Sequence, residues 1–104
     1  MKTAEVQTKV LKGNRLIVGT FQGEEVREVK SKKDGHSMWF HTAFVLNSRE
    51  MIAVGLPTDA SAKRKEDIKE LGYKDGQPVV HEFTHIEKTQ YGVRSRGALY
   101  LLEA

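Results

Sequence analysis

The segment from Ser37 to Leu46 constrains the fold more than any other part of the chain. Met38, Phe40, Phe44 and Leu46 are apolar at alternate positions, with Thr42 between them, while Ser37, Trp39 and His41 occupy the other set. Successive side chains of a β-strand point to opposite faces, so this alternation reads as a strand. It predicts that Met38, Phe40, Phe44 and Leu46 face a core and that Trp39 and His41 point outward. Directly before it runs Lys30-Ser31-Lys32-Lys33-Asp34-Gly35, a cationic turn.

Further strand-like runs surround this one. Glu5 to Val29 is strand-rich: Val6, Thr8 and Val10 alternate with polar residues, Lys12-Gly13-Asn14 interrupts, and Leu16 to Phe21 follows. Gly19 and Gly23 inside this run mark a bulge or a sharp coil, with Glu25 to Val29 a further extended piece or part of the same bent strand. Asn47-Ser48-Arg49-Glu50 is a turn, and Met51 to Leu56 pairs back as a hairpin. Pro57 ends that strand, and Thr58, Asp59 and Ser61 are candidate helix N-caps. Ala60 to Leu71 reads as a surface helix with a thin stripe, Ile68 and Leu71, that plugs one opening, and Gly72 stops it. Val79 to Lys88 is a fourth strand, Thr89 to Gly97 a polar loop or flared hairpin, and Ala98 to Leu102 a fifth strand with both faces covered.

A chain of 104 residues with 38% hydrophobic and 30% charged residues fits one domain, residues 1–104, with a single modest core. The order β-β-β-α-β-β, all-β with one helix between the third and fourth strands, is that of a five-stranded OB-fold barrel. An SH3-like barrel lacks the full helix, and an α/β sheet needs more helices. No run approaches the roughly 18 apolar residues of a membrane span. No leader is visible at the polar N-terminus, and the absence of Cys fits a reducing cytoplasm.

Val18-Gly19-Thr20-Phe21 followed by Glu25-Val26-Arg27 resembles the opening strand of bacterial-type single-stranded DNA-binding proteins, where Val-Gly-x-Leu precedes Glu-Val-Arg. Trp39 to Leu46 falls where that family has its second strand, and Lys74-Asp75-Gly76-Gln77-Pro78-Val79-Val80 resembles the turn that opens its fourth. The Asp-Pro that usually precedes Glu-Val-Arg is absent, and the chain stops at Glu103-Ala104 without an acidic tail. The resemblance implies a compact member, similar to the small DNA-binding proteins of phages and plasmids or to primosomal relatives, without tail-mediated recruitment of repair enzymes.

These residues point to a non-catalytic protein that binds single-stranded DNA with little sequence preference during replication or recombination. An aromatic platform beside basic loops supplies stacking for bases and charge for phosphates. Trp39 is the stacking candidate, or else a core or interface residue; His41, Phe83 and Tyr91 are further candidates. Lys30, Lys32 and Lys33 fall in the loop between the first and second strands, and Lys88, Arg94 and Arg96 around the loop between the fourth and fifth, with Arg15 and Lys12 extending the path. Those two loops flank the oligonucleotide groove of an OB-fold. Lys63-Arg64-Lys65 is a second phosphate contact or a solvated run.

The net charge of +3 is modest for a nucleic-acid binder, and no sequence feature selects DNA over RNA. A short site on one domain implies a homodimer or higher assembly to coat a strand. A protein-interaction module on the same barrel is the rival reading. No enzymatic motif, cofactor or metal site is expected. His81-Glu82-Phe83-Thr84-His85 matches the zinc-protease pattern, but that pattern needs a helix. Here the flanks predict a strand with both His on one face beside Phe83, about 13 Å apart at roughly 3.3 Å per residue.

Overall fold

Alternation of β-branched with polar residues gives five strands: β1 (Leu16–Lys30), β2 (Ser37–Asn47), β3 (Glu50–Leu56), β4 (Pro78–Thr89) and β5 (Gly92–Leu101). The computed structural model describes residues 1–33 and 35–103; Asp34, within the basic turn expected at 30–35, and Ala104 lie outside the described residues. The strands close into a ring in the order β1-β2-β3-β5-β4. All neighbours are antiparallel except β3 and β5, which run parallel because the connector between β3 and β4 crosses the ring's end. β1 serves both sides of the closure: Leu16 to Thr20 pair with β4, and Thr20 to Lys30 pair with β2. A register shift between Phe21 and Glu24 bends it, as the glycines at 19 and 23 predict. A second shift lies in β4 between Phe83 and His85. There Gly97 has φ 147°, and a Cβ on it would lie 2.1 Å from the Glu82 carbonyl oxygen, so no other residue fits.

The element order departs from the expected one at two places. Residues Thr3–Leu11 form a helix, α1, not a strand. Val6 and Val10 are spaced i, i+4 on one helix face, and their alternation with Thr8 is incidental. Glu5 sits in the first turn and Lys9 in the last, where each charge suits the helix dipole. The helix ends in a Schellman motif: Asn14 N–H donates to the Lys9 carbonyl, Gly13 N–H donates to that of Val10, and Gly13 has φ 87°.

The second departure is the helix expected over 60–71, where only a 3-10 turn forms, Lys65–Asp67. An isolated segment this short cannot hold an α-helix without tertiary packing, and Lys63-Arg64-Lys65 opposes the dipole at its start. Asp67 accepts from the Lys63 and Arg64 backbone N–H groups (3.0 Å each) and tightens the turn instead. The plugging role survives without the helix. Ile68 is buried, Leu71 and Tyr73 pack against the core, and the Tyr73 ring meets Phe21 edge-on with centroids 5.6 Å apart.

The core lies inside the ring and consists of Phe21, Ala43, Val45, Ile52, Val54, Val79, Val93 and Leu99. This reverses the predicted faces of β2. Ala43 and Val45 are fully buried and His41 is 4% exposed, whereas Met38 and Phe40 are 47% and 43% exposed. Both faces of β2 carry apolar side chains, and the narrow lumen admits the smaller set. The last strand is likewise covered on one face only: Leu99 is buried and Leu101 packs against the core, but Tyr100 is 39% exposed.

Glu24 ties the connector to the ring. Its Oε1 accepts from the Leu71 N–H at 2.8 Å and lies 2.6 Å from His41 Nε2, and its Oε2 accepts from the Gly72 N–H at 3.0 Å. Burial alone would raise its pKa, but the Leu71 N–H, His41 and the Gly72 N–H outweigh it and hold the carboxyl below its ordinary 4.5. A lowered folded value stabilises the fold above the unfolded pKa and loses that contribution as pH falls through the folded value. Chemical denaturation should therefore show stability falling below about pH 4.5, and less so for Glu24→Ala. At neutral pH Glu24→Ala should cost about 2–4 kcal/mol, because it orphans His41 and two backbone donors. Gly97→Ala should cost about 3 kcal/mol in the same measurement, through its φ and the clash with Glu82.

Candidate nucleic-acid interface

Strand register assembles the site on the outer face of β2, β3 and β5. The hairpin turn at Ser48-Arg49, with Ser48 at φ 54°, sets Thr42 opposite Gly55 and Phe44 opposite Ala53. Parallel pairing then sets Ala53 beside Arg94 and Gly55 beside Arg96. Across the other edge of β2, Arg27 lies opposite Phe40 and Glu25 opposite Thr42. Small residues on β3 thus form the floor of an open groove of about 880 Å³. Phe40 and Phe44 stand on one side, Arg94 and Arg96 on the other, with Glu25 and Arg27 beyond Phe40 and with His85 and Glu87 beyond the arginines.

Phe40 exposes a face in this groove and Phe44 is half-buried. Such rings present π-faces for stacking, and an arginine opposite supplies a planar cation for phosphate. Arg27, Arg94 and Arg96 make no ion pair among the described residues.

Apart from Trp39 and His41, the site residues expected from sequence separate into four places. Arg94 and Arg96 line the groove. Lys30, Lys32 and Lys33 are exposed at one end of the β1–β2 ribbon, where Lys30 pairs with Ser37. Lys88 and the 85% exposed Tyr91 lie at the other end, where Lys88 Nζ is 3.6 Å from Glu50 Oε1 across from the β2–β3 turn. Arg15 and Phe83 sit apart from the groove and occupy each other: the guanidinium lies 5.0 Å from the Phe83 ring centre.

Trp39 and His41 are turned the other way from the orientation predicted. They share the inward side of β2 with Ala43 and Val45. His41 is the buried partner of Glu24. Trp39 is half-buried, with its Nε1 wholly covered, and contributes to the groove lining together with Pro57 and Thr58, whose Oγ1 donates to the Trp39 carbonyl at 3.3 Å. What the sequence reading missed is that Phe40 and Phe44, not Trp39 and His41, are the outward rings of β2. The signal was present: each large ring on β2 faces a small residue or an arginine on its neighbours, once the hairpin register is set.

His81 and His85 do not share a face. The bulge at 83–85 turns His81 into the ring, fully buried, and leaves His85 exposed at the groove. A carbonyl only accepts, so His81 Nδ1 carries the proton and donates to the Ala98 carbonyl at 2.9 Å. Burial lowers the His81 pKa, though the Ala98 bond works against the shift. The ring is therefore neutral near pH 7, and Nε2 accepts from the Ser95 hydroxyl, whose oxygen also lies 3.0 Å from the His85 carbonyl.

No helix of the described residues is long and apolar enough to cross a membrane. No protein-family model matches the chain, and no curated protein matches it significantly. Among solved structures, the chain is similar to the solution NMR structure of the second OB-fold domain of replication protein A from Methanococcus maripaludis. The TM-score is 0.54 at 14% identity, covering 88% of this chain and 85% of that one. Likeness at that level establishes the fold: the five-stranded ring is an OB-fold.

Proposed function

We propose that this protein binds single-stranded DNA in the β2–β3–β5 groove, without catalysis, as part of DNA replication or recombination. One observation carries the reading: Phe40 and Phe44 face Arg94 and Arg96 across a floor of Ala53 and Gly55. Stacking platforms combined with cations are how OB-folds hold single strands, and the face built on the second and third strands is their usual oligonucleotide surface. The likeness to an OB-fold domain of a replication protein supports the same reading. Lys30, Lys32 and Lys33 at one end, and Tyr91 at the other, extend the track beyond the groove. The compact bacterial-type, phage- or plasmid-like membership suggested by Val18 to Phe21 and Glu25 to Arg27 belongs to this proposal, as do a cytoplasmic setting and a homo-oligomer that lengthens the bound site.

Two substitutions on neighbouring positions separate binding from folding. Phe40→Ala should weaken oligo-dT binding by about 1–3 kcal/mol in a fluorescence-anisotropy titration. It should change unfolding free energy by about 1 kcal/mol or less, since the ring is substantially exposed. Trp39→Ala should do the reverse, costing about 2–3 kcal/mol of stability with little effect on affinity once folded. Loss of dT binding by Trp39→Ala in a fully folded protein would return the platform to the inward face.

Salt dependence tests the phosphate contacts. Affinity for dT should fall by about 0.7 log units per tenfold salt for each phosphate neutralised. The double variant Arg94→Ala/Arg96→Ala should reduce that slope by about 1.4. Duplex DNA should bind more weakly than dT, because its bases offer no free faces. Failure to bind dT at low salt would exclude this function and leave the groove as a protein-interaction surface.

A further inference from the structure

Glu24 and Glu25 are adjacent and have opposite fates. Glu24 is consumed by His41, Leu71 and Gly72. Glu25 points to the outer face, lines the groove, and has no hydrogen-bonded or ion-paired partner among the described residues. A carboxylate in a phosphate-binding groove repels the backbone it is meant to attract, so its place there calls for a donor on the ligand. We propose that Glu25 gives the groove a preference for guanine within a single strand, by accepting from the base's Watson–Crick edge; the inference rests on the single-strand reading above.

The register places that edge. Arg27 lies opposite Phe40, and Glu25 lies opposite Thr42, which faces Gly55. Diagonal neighbours on one sheet face are about 7–8 Å apart. A base stacked on Phe40 therefore extends its edge over the row Glu25, Thr42 and Gly55. Gly55 leaves room for it. Its φ is not in the left-handed region, and a Cβ there would meet Arg96 Cγ and the Ser95 carbonyl oxygen at 3.5 Å, an ordinary contact. The fold itself does not require glycine at 55, and the missing side chain opens the floor beside Thr42.

The chemistry then selects the base. Guanine presents two donors side by side, N1–H and N2–H, which match the two oxygens of a carboxylate. Cytosine and adenine offer one amino group next to a ring-nitrogen acceptor. Thymine offers one imino N–H between two carbonyl oxygens, which a carboxylate repels. One position of the bound strand is thereby selective while the rest remains tolerant.

The test compares a dT strand of about twelve nucleotides, within the range of OB-fold site sizes, with the same strand carrying one central dG. Anisotropy titrations of the intact protein should show the dG strand binding about tenfold tighter, within the range of a bidentate base contact. Glu25→Gln should collapse that ratio to near one, because an amide offers only one acceptor oxygen. Glu66→Gln, an exposed change outside the groove, should leave the ratio at about ten. Equal affinities in the unmodified protein, with dT binding intact, would overturn the guanine preference and spare the single-strand reading; so would a ratio that survives Glu25→Gln. Absence of binding to either strand would overturn both.

Discussion

A ring of five strands encloses little space, and that limit decides the orientation of every strand in this protein. Barrel diameter grows with strand number, and even eight strands leave an interior only just wide enough for side chains. Among the described residues Phe21 is the one Phe, Tyr or Trp ring wholly inside, surrounded by Ala43, Val45, Ile52, Val54, Val79, Val93 and Leu99. Phe40 and Phe44 cannot join it on the same strand as Ala43 and Val45, since a strand offers alternate residues to each face. The outward placement of Phe40 and Phe44 is thus a consequence of the lumen. Larger residues at 43 and 45 would strain the ring before they altered the groove.

A closed ring still has open ends, and one is sealed by a connector that has almost no regular structure. Its apolar residues are few, so burial of Ile68, Leu71 and Tyr73 cannot by itself fix its path. Glu24 supplies the missing definition by holding two successive backbone N–H groups while it pairs with His41. A buried polar contact is weak evidence of net stability, because desolvation offsets much of its attraction. Its contribution here is geometric: it selects one arrangement of a segment that local propensity leaves undecided. His81 makes a comparable selection on the far side, where its bonds to Ala98 and Ser95 join β4 to β5 next to the bulge.

The strands were legible in the sequence because each carries β-branched or aromatic residues between turn signals. The bend of β1 followed from Gly19 and Gly23, and the β2–β3 hairpin from the polar turn at 47–50. The first half of β5 was not legible, because Arg94 and Arg96 alternate with Val93 and Ser95 and look like a loop until the groove supplies a reason for cations. The helix expected over 60–71 did not form because in a short segment tertiary contact outweighs local preference. α1 buries no residue and is closed locally by its C-terminal Schellman cap, whereas residues 60–71 lost backbone donors to Asp67 and Glu24. The inward face of β2 was the costliest ambiguity. Both faces are apolar, and residue size favours the wrong one unless the width of the ring is known.

Charge in the groove is nearly balanced, and that affects what the proposed site can do. Arg27, Arg94 and Arg96 are set against Glu25 and Glu87 within one surface, and the chain as a whole carries only +3. Such a groove has little long-range pull on a polyanion. Attraction must then come from its ends, chiefly from Lys30, Lys32 and Lys33, whose side chains are exposed. The groove would contribute at short range, where the proposed site has Phe40 and Phe44 take bases out of water and the arginines meet individual phosphates. Lys88 adds little at the other end, since it already faces Glu50. The two ends are therefore unequal, and a strand drawn to the β1–β2 loop enters the groove past Phe40 first. In the proposed complex encounter and selection thus fall on different residues: loop charges would govern the rate of capture, and the face shared by Glu25, Phe40 and Gly55 would govern which strand is retained.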